Sequence, residues 1–161
     1  MALRAVVRHA DGRGRPTSLT PRLLQHFGLQ RASELIHKVY HEELSPRSIA
    51  AVAKYVEAAR GDDDIVAVGI LNRAADELLA AATAVMTRLE LTATTFTVVL
   101  AGGMFHAVPW LCDHLRLLLP GIAPHCTVVR LNAEPALGAV QLALAEIRGG
   151  AKVPVYIPNI S

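Results

Sequence analysis

Aromatic side chains make up only 4% of this 161-residue sequence, and Trp110 is its sole tryptophan. A core so poor in large rings must be assembled from aliphatic side chains and close helix contacts, and 26 alanines provide the small partners. Cysteine is scarce as well. Cys112 and Cys126 stand alone, without a C-x-x-C spacing, so two free thiols in a reduced, cytoplasmic protein is the simplest reading. No sign of charge dominates: thirteen Arg and three Lys face fourteen acids, for a formal charge of +2. With no basic–aromatic patch or zinc pattern, nucleic acid is not an expected partner. Apolar runs stay far below the roughly 18 residues that cross a bilayer. Arg4 and Arg8 precede no apolar segment of the kind a signal peptide carries. No membrane partner is expected either.

What remains is an aliphatic, globular chain. Hydrophobic residues reach 52% and charged ones 19%, which excludes a disordered tail, and the length suits about one domain. Residues 3–9 read as a short helix ended by Asp11-Gly12-Arg13-Gly14-Arg15-Pro16. Thr20-Pro21 reads as an N-cap followed by proline, with Gly28 closing that helix. Ala32 to His41 is a further helix. Ser45-Pro46 repeats the cap-and-proline signal ahead of Ile49, Val52, Ala53 and Val56. Gly61 ends this helix, and Asp62-Asp63-Asp64 opens a long one with the stripe Val68, Leu71, Ala75, Leu78, Ala82, Val85 and Leu89.

The character changes at Thr92. Phe96–Leu100 is a continuous β-favouring run, the pattern of a strand buried on both faces. A helix from about Ala107 to Leu119 follows, stopped by Pro120-Gly121. Thr127–Leu131 is a second such strand, and Glu134-Pro135 starts a last helix ending at Arg148. The expected fold is therefore α/β and predominantly helical: a helical segment 1–92, then a parallel β-α-β-α segment 93–161. Two parallel strands alone leave both outer edges unpaired. Either the chain oligomerises or the remaining strands belong to another segment.

Chemistry-bearing motifs are few. Ala101-Gly102-Gly103-Met104 follows the first strand, where open α/β sheets bind ligands and where paired glycines admit a ring, ribose or phosphate against the backbone. Spacing alone favours a plain tight turn. Gly138-Ala139 places glycine inside the final helix at a cost of roughly 1 kcal/mol, and close approach of a neighbouring helix or ligand is preferred over drift. His37 and His41, with Glu42 nearby, read as a solvated helix end rather than a metal site. His106 is open between phosphate contact and ordinary loop residue. The Asp62–Asp64 run reads as a helix N-terminus, with magnesium second. Gly12-x-Gly14 lacks the strand and third glycine of a dinucleotide loop, and no Ser-His-Asp or Cys-His set can be built.

Four stretches together resemble the C-terminal part of the BadF/BadG/BcrA/BcrD-type ATPase family, in its N-acetylglucosamine-kinase-like branch. They are Ala2–Val7 running into Asp11-Gly12-Arg13-Gly14; Ser45-Pro46-Arg47-Ser48-Ile49-Ala50; Val99-Leu100-Ala101-Gly102-Gly103; and Pro135-Ala136-Leu137-Gly138-Ala139. The resemblance implies part of the C-terminal lobe of an actin-like, ribonuclease-H-like ATPase fold. It implies an adenosine-binding role for Ala101, Gly102, Gly103 and Met104, and a hinge-helix role for Gly138 and Ala139. It also implies ATP and Mg²⁺ as cofactors of the complete protein, with a sugar substrate.

The family's D-x-G-G-T-type phosphate loop, catalytic aspartate and second phosphate motif do not occur here. No catalytic residue and no metal ligand is therefore assigned within this chain. A truncated form, a split gene product or a gene fragment is expected, working as a homo-oligomer or with an N-terminal-lobe partner. Two alternatives stay open. One is an ATPase activator of a CoA-ester dehydratase or reductase, which would hold an iron–sulfur cluster through cysteines. The other is a non-catalytic helical module binding through the Val68–Leu89 stripe.

Overall fold

A computed structural model describes residues 1–41, 48, 50–133 and 135–150. The Ser45-Pro46 start, Glu42, Ile49 and Glu134 lie outside the described residues. Residues 1–130 form one compact unit, and the chain from Leu131 onward forms a second. The boundary expected at 92/93 marks a change in secondary structure, whereas compactness divides after Arg130.

The first unit opens with three short helices that each bury one stripe. Helix α1 (Ala2–Ala10) buries Ala2 and Val6, one helical turn apart. Helix α2 (Leu19–Phe27) buries Leu19, Leu23 and Phe27 at successive i, i+4 positions. It stops at Gly28, whose φ of 67° lets the Leu29 N–H return to the Leu24 carbonyl at 2.9 Å. Helix α3 (Ser33–His41) contributes the fully buried Leu35.

The start of α2 corrects the Thr20-Pro21 reading. Ser18 occupies the cap position and Leu19 is the first helical residue. The Thr20 hydroxyl instead shares a 2.9 Å hydrogen bond with His9 Nδ1 on α1. Pro21 still sits in the first turn, where a missing N–H leaves no intrahelical bond unmade.

Helix α4 (Ala53–Gly61) buries Val56 and Ala59 and packs against α5 (Ile65–Arg88), the longest element of the chain. Asp64 caps α5 with its side chain. The buried line of α5 runs through Ala67, Leu71, Ala75 and Met86. Leu71 and Ala75 of the expected stripe are therefore in the core, while Leu78, Val85 and Leu89 are exposed. Alanine at 67 and 75 lets neighbouring helices approach closely, so small residues and not the larger Val85 and Leu89 define the contact.

Strands β1 (Phe96–Leu100) and β2 (Cys126–Arg130) form a two-stranded parallel sheet, with Phe96 opposite Cys126 and Leu100 opposite Arg130. Helices α6 (Gly103–Ala107) and α7 (Pro109–Leu118), then a 3₁₀ turn at Leu119–Gly121, connect them. The helix expected from about Ala107 to Leu119 is found as α7, and Val108, with φ −132° and ψ 77°, separates it from the short α6. Its neighbour Pro109 excludes the helical region for the residue before it. Val108 is itself fully buried, so the break anchors the connection in the core.

Among the described residues the sheet is not buried on both faces. Phe96, Val98 and Leu100 turn inward, whereas Val99 is 51% and Val129 39% exposed. Within the first unit, α7 and the 3₁₀ turn back the sheet on one side. Substituting Val99 by lysine in this chain is thus expected to change stability by no more than about 0.5 kcal/mol. Urea unfolding followed by circular dichroism checks this.

The second unit contains α8 (Pro135–Ile147), closed by Gly149 at φ 73° with the Gly150 N–H on the Ala145 carbonyl at 2.8 Å. Leu137, Val140, Leu142, Leu144 and Ile147 of this helix are exposed. Among the described residues no helix is long and apolar enough to cross a membrane.

Candidate functional site

The glycine junction lies at the carboxyl end of β1. Leu100 is buried and ends the strand, and Ala101 to Met104 are exposed. Gly102 has φ 115° and ψ 158°, a region that essentially only glycine occupies. Gly103 begins α6 without a positive φ, and a Cβ built on either glycine meets no atom within 4 Å. The tight-turn reading therefore holds for Gly102, whose backbone requires glycine. It does not account for Gly103. The Gly102 carbonyl accepts the Phe105 N–H at 3.2 Å, which holds the corner of the turn. The result is a stretch of bare backbone open to solvent, at the strand end where parallel sheets present ligands.

Beside the junction, Met104 borders an apolar cleft of about 310 Å³ with Ala53, Val56, Ile70, Leu71 and Ala74. The start of α1 and helices α4 and α5 supply its walls, and the small alanines among them keep the side-chain layer thin. Polar groups are nearly absent from it, so the cleft suits a flat, weakly polar body rather than a phosphate. His106 is exposed on α6, two residues beyond Met104.

Gly138 and Ala139 lie on the exposed α8 in the second unit, and a Cβ at Gly138 would meet open space.

The acidic run has a different use from metal binding. Asp62 follows the last turn of α4 and pairs with Arg22, while Asp63 takes a positive φ of 59° at the corner. Asp64 accepts five hydrogen bonds. Oδ1 receives the N–H groups of Val66 and Ala67 at 2.9 and 3.1 Å. Oδ2 receives the Ser18 N–H at 2.6 Å and the hydroxyls of Thr17 and Ser18 at 2.8 and 2.9 Å. Burial works to raise the Asp64 pKa, but the bonds from Thr17, Ala67 and Ser18 outweigh it and hold the carboxyl below its ordinary value. A carboxylate so fully engaged has no lone pair left for a divalent cation. Among the described residues no group of three or more His, Cys, Asp or Glu side chains could hold a metal. The apolar cleft beside Met104 suits a ring, and Asp64 is taken up within the fold.

The cysteines do not form a pair of exposed ligands. Cys112 is only 2% exposed, and its thiol donates to the Phe105 carbonyl at 3.5 Å. Burial pushes its pKa up, which makes it a poor thiolate for an iron–sulfur cluster. Sequence reasoning missed the Thr17–Ser18–Asp64 knot altogether. Its only advance signal was an Asp immediately before an apolar run, since the partners lie 46 and 47 residues upstream.

No protein-family model matches the chain. Over 145 residues it is 28% identical to an N-acetylmuramic acid/N-acetylglucosamine kinase of Clostridium acetobutylicum, a match covering 90% of this chain and 47% of that protein. The chain therefore spans about half the length of this curated relative.

Proposed function

We propose that this chain is the C-terminal portion of an ATP-dependent sugar kinase, with N-acetylglucosamine or a related amino sugar as substrate. The observation that carries the reading is the similarity to the Clostridium kinase across 90% of the chain. Its site is the bare backbone at Gly102-Gly103, and membership of the BadF/BadG/BcrA/BcrD-type family with an actin-like fold belongs to the same reading. In this division of labour, Gly102 and Gly103 let adenosine lie against the backbone, and the cleft beside Met104 takes the base. The Gly138-Ala139 segment serves as part of the hinge between lobes.

When bound, ATP provides the phosphoryl group transferred to a sugar hydroxyl. The chain's own residues do the positioning. Gly102 turns the backbone out of β1, and α6 and Val108 fix that turn to the core. The alanines of α4 and α5 keep the base slot apolar and exclude water from it. Groups that hold the γ-phosphate, the metal and the sugar are assigned to the other half of the protein.

Two results are expected. Residues 1–161 alone transfer no phosphate from ATP to N-acetylglucosamine above background, and combination with the unmatched half of the Clostridium kinase restores transfer. Robust turnover by the chain alone would contradict this division. In the combined protein, Gly103→Val weakens ATP binding by about tenfold or more, or roughly 1.4 kcal/mol. Sugar affinity and melting temperature stay unchanged, because Gly103 has no positive φ and a Cβ there meets nothing within 4 Å. Calorimetric titration with ATP and with the sugar separates these outcomes.

A further inference from the structure

Three arginines gather around an otherwise apolar groove in the first unit. Helices α1 and α3 enclose a space of about 700 Å³ whose charged lining is Arg4, Arg8 and Arg13. The rest is aliphatic, chiefly Val7 of α1 with Leu35, Ile36 and Val39 of α3. Leu35 is fully buried, whereas Ile36 is 48% exposed. No acidic residue lines the groove. Arg4 and Arg8 stand one turn apart, so they share a face of α1. Among the described residues neither forms an ion pair.

The turn after α1 is shaped to bring the third arginine to the other two. Gly12 takes φ 77° and reverses the chain. Gly14 then lies so close to the end of α1 that a Cβ there would stand 2.9 Å from the Arg8 carbonyl carbon and 3.0 Å from the His9 nitrogen. No other described glycine is so confined. Asp11 accepts the Arg13 main-chain N–H at 3.1 Å and its Nε–H at 2.9 Å, while Arg8 donates to the Arg13 carbonyl at 3.3 Å. The turn is thus folded onto Arg8 with Arg13 held beside it. This gives Gly12-x-Gly14 a use that a dinucleotide loop did not.

Charge selects the occupant. Three guanidiniums against the one carboxylate of Asp11 leave an excess of two positive charges. A phosphate monoester carries about −1.5 to −2 at neutral pH, whereas a carboxylate carries a single charge. Guanidinium forks also match phosphate oxygens two at a time. Inorganic phosphate would leave the aliphatic floor uncovered, and a bilayer would present a headgroup while withholding its tail. We propose that this groove binds a soluble phosphate monoester of a single aliphatic chain, with the phosphate on Arg4, Arg8 and Arg13 and the chain between α1 and α3. Such a site is independent of the kinase reading. Met1 and Leu3 line both this groove and the cleft beside Met104, so the two adjoin at the start of α1, but the arginines line this one alone.

The test titrates octyl phosphate, below its micellar concentration, into the full 161-residue chain and follows binding by calorimetry. The expected result is saturable one-to-one binding, at least about tenfold tighter than octanoate or inorganic phosphate. Arg4→Gln and Arg8→Gln should each weaken it by about tenfold. Ile36→Asn should weaken octyl phosphate by about fivefold and leave inorganic phosphate unaffected. All three side chains are exposed, so these variants should keep the wild-type melting temperature. Gly103→Val should leave octyl phosphate binding unchanged, which separates this groove from the nucleotide site proposed above. Absence of binding, equal binding of octanoate, indifference to both arginines, or loss of binding in Gly103→Val would each overturn the proposal. So would association with phosphatidate vesicles alone, or a homodimer that covers the groove and resists octyl phosphate.

Discussion

Replacing Asp64 by alanine is expected to destabilise the chain by roughly 2–4 kcal/mol, several times the effect of an ordinary surface substitution. The carboxylate caps α5 through the Val66 and Ala67 N–H groups, and loss of a cap typically costs about 1 kcal/mol. It also holds the start of α2, where the Ser18 N–H and the hydroxyls of Thr17 and Ser18 converge on Oδ2. Thr17 is buried, so its hydroxyl would be left without this acceptor in a place that water reaches poorly. Ser18→Ala removes one of the five bonds and should cost about 1 kcal/mol. Asp64→Asn should fall between the two, since its Oδ1 can still accept while its amide group faces three donors.

The same residue sets a pH dependence. Its pKa is lowered in the folded chain from an ordinary value near 3.8. The unfolded chain therefore binds the proton more readily. The stabilisation is complete above that ordinary value and disappears as pH falls through the lower folded one. Urea unfolding of wild type and Asp64→Ala should differ fully at neutral pH and converge in strong acid. A difference independent of pH would show that Asp64 acts through packing and not through its charge.

Where local chemistry decides structure, the sequence was a sufficient guide. Gly28 ends α2 because its left-handed conformation returns two N–H groups to the last turn, and that is visible from a glycine after an apolar stripe. The β-branched run before Gly102 similarly identified β1. The β2 boundary shifted by only one residue, to Cys126–Arg130. Pro109 held the information needed to break the helix after Ala107, because a residue before proline leaves the helical region.

Long-range matters were not legible. Nothing near Thr20 says that its hydroxyl goes to His9, or that Ser18 takes the cap because Asp64 reaches it from 46 residues away. Face exposure was misjudged for a related reason. A valine-rich strand reads as buried on both sides only if something covers both, and coverage depends on elements elsewhere. The glycine junction is a mixed case. Its place at a strand end was evident from sequence, but the separate needs of the two glycines were not.

Gly102→Val is expected to act in two ways at once, and that separates it from the same change one residue later. At φ 115° and ψ 158° a valine is strained whatever the surrounding space, so stability should fall by about 1–3 kcal/mol. No cavity or clash contributes, because a Cβ there meets nothing within 4 Å. The alternative to strain is a flipped turn, which would move the Gly102 carbonyl off the Phe105 N–H and re-aim the start of α6. Nucleotide affinity in the combined protein should then drop further than with Gly103→Val, by about a hundredfold against tenfold. The melting temperature should fall with it. Gly102→Ala should show much of the stability loss with a smaller loss of affinity, since strain depends on having a Cβ and obstruction on its bulk. Loss of stability at Gly102 with unchanged ATP affinity at both positions would make this junction a turn and nothing more. Loss of affinity at Gly103 without loss of stability requires a ligand lying against the backbone.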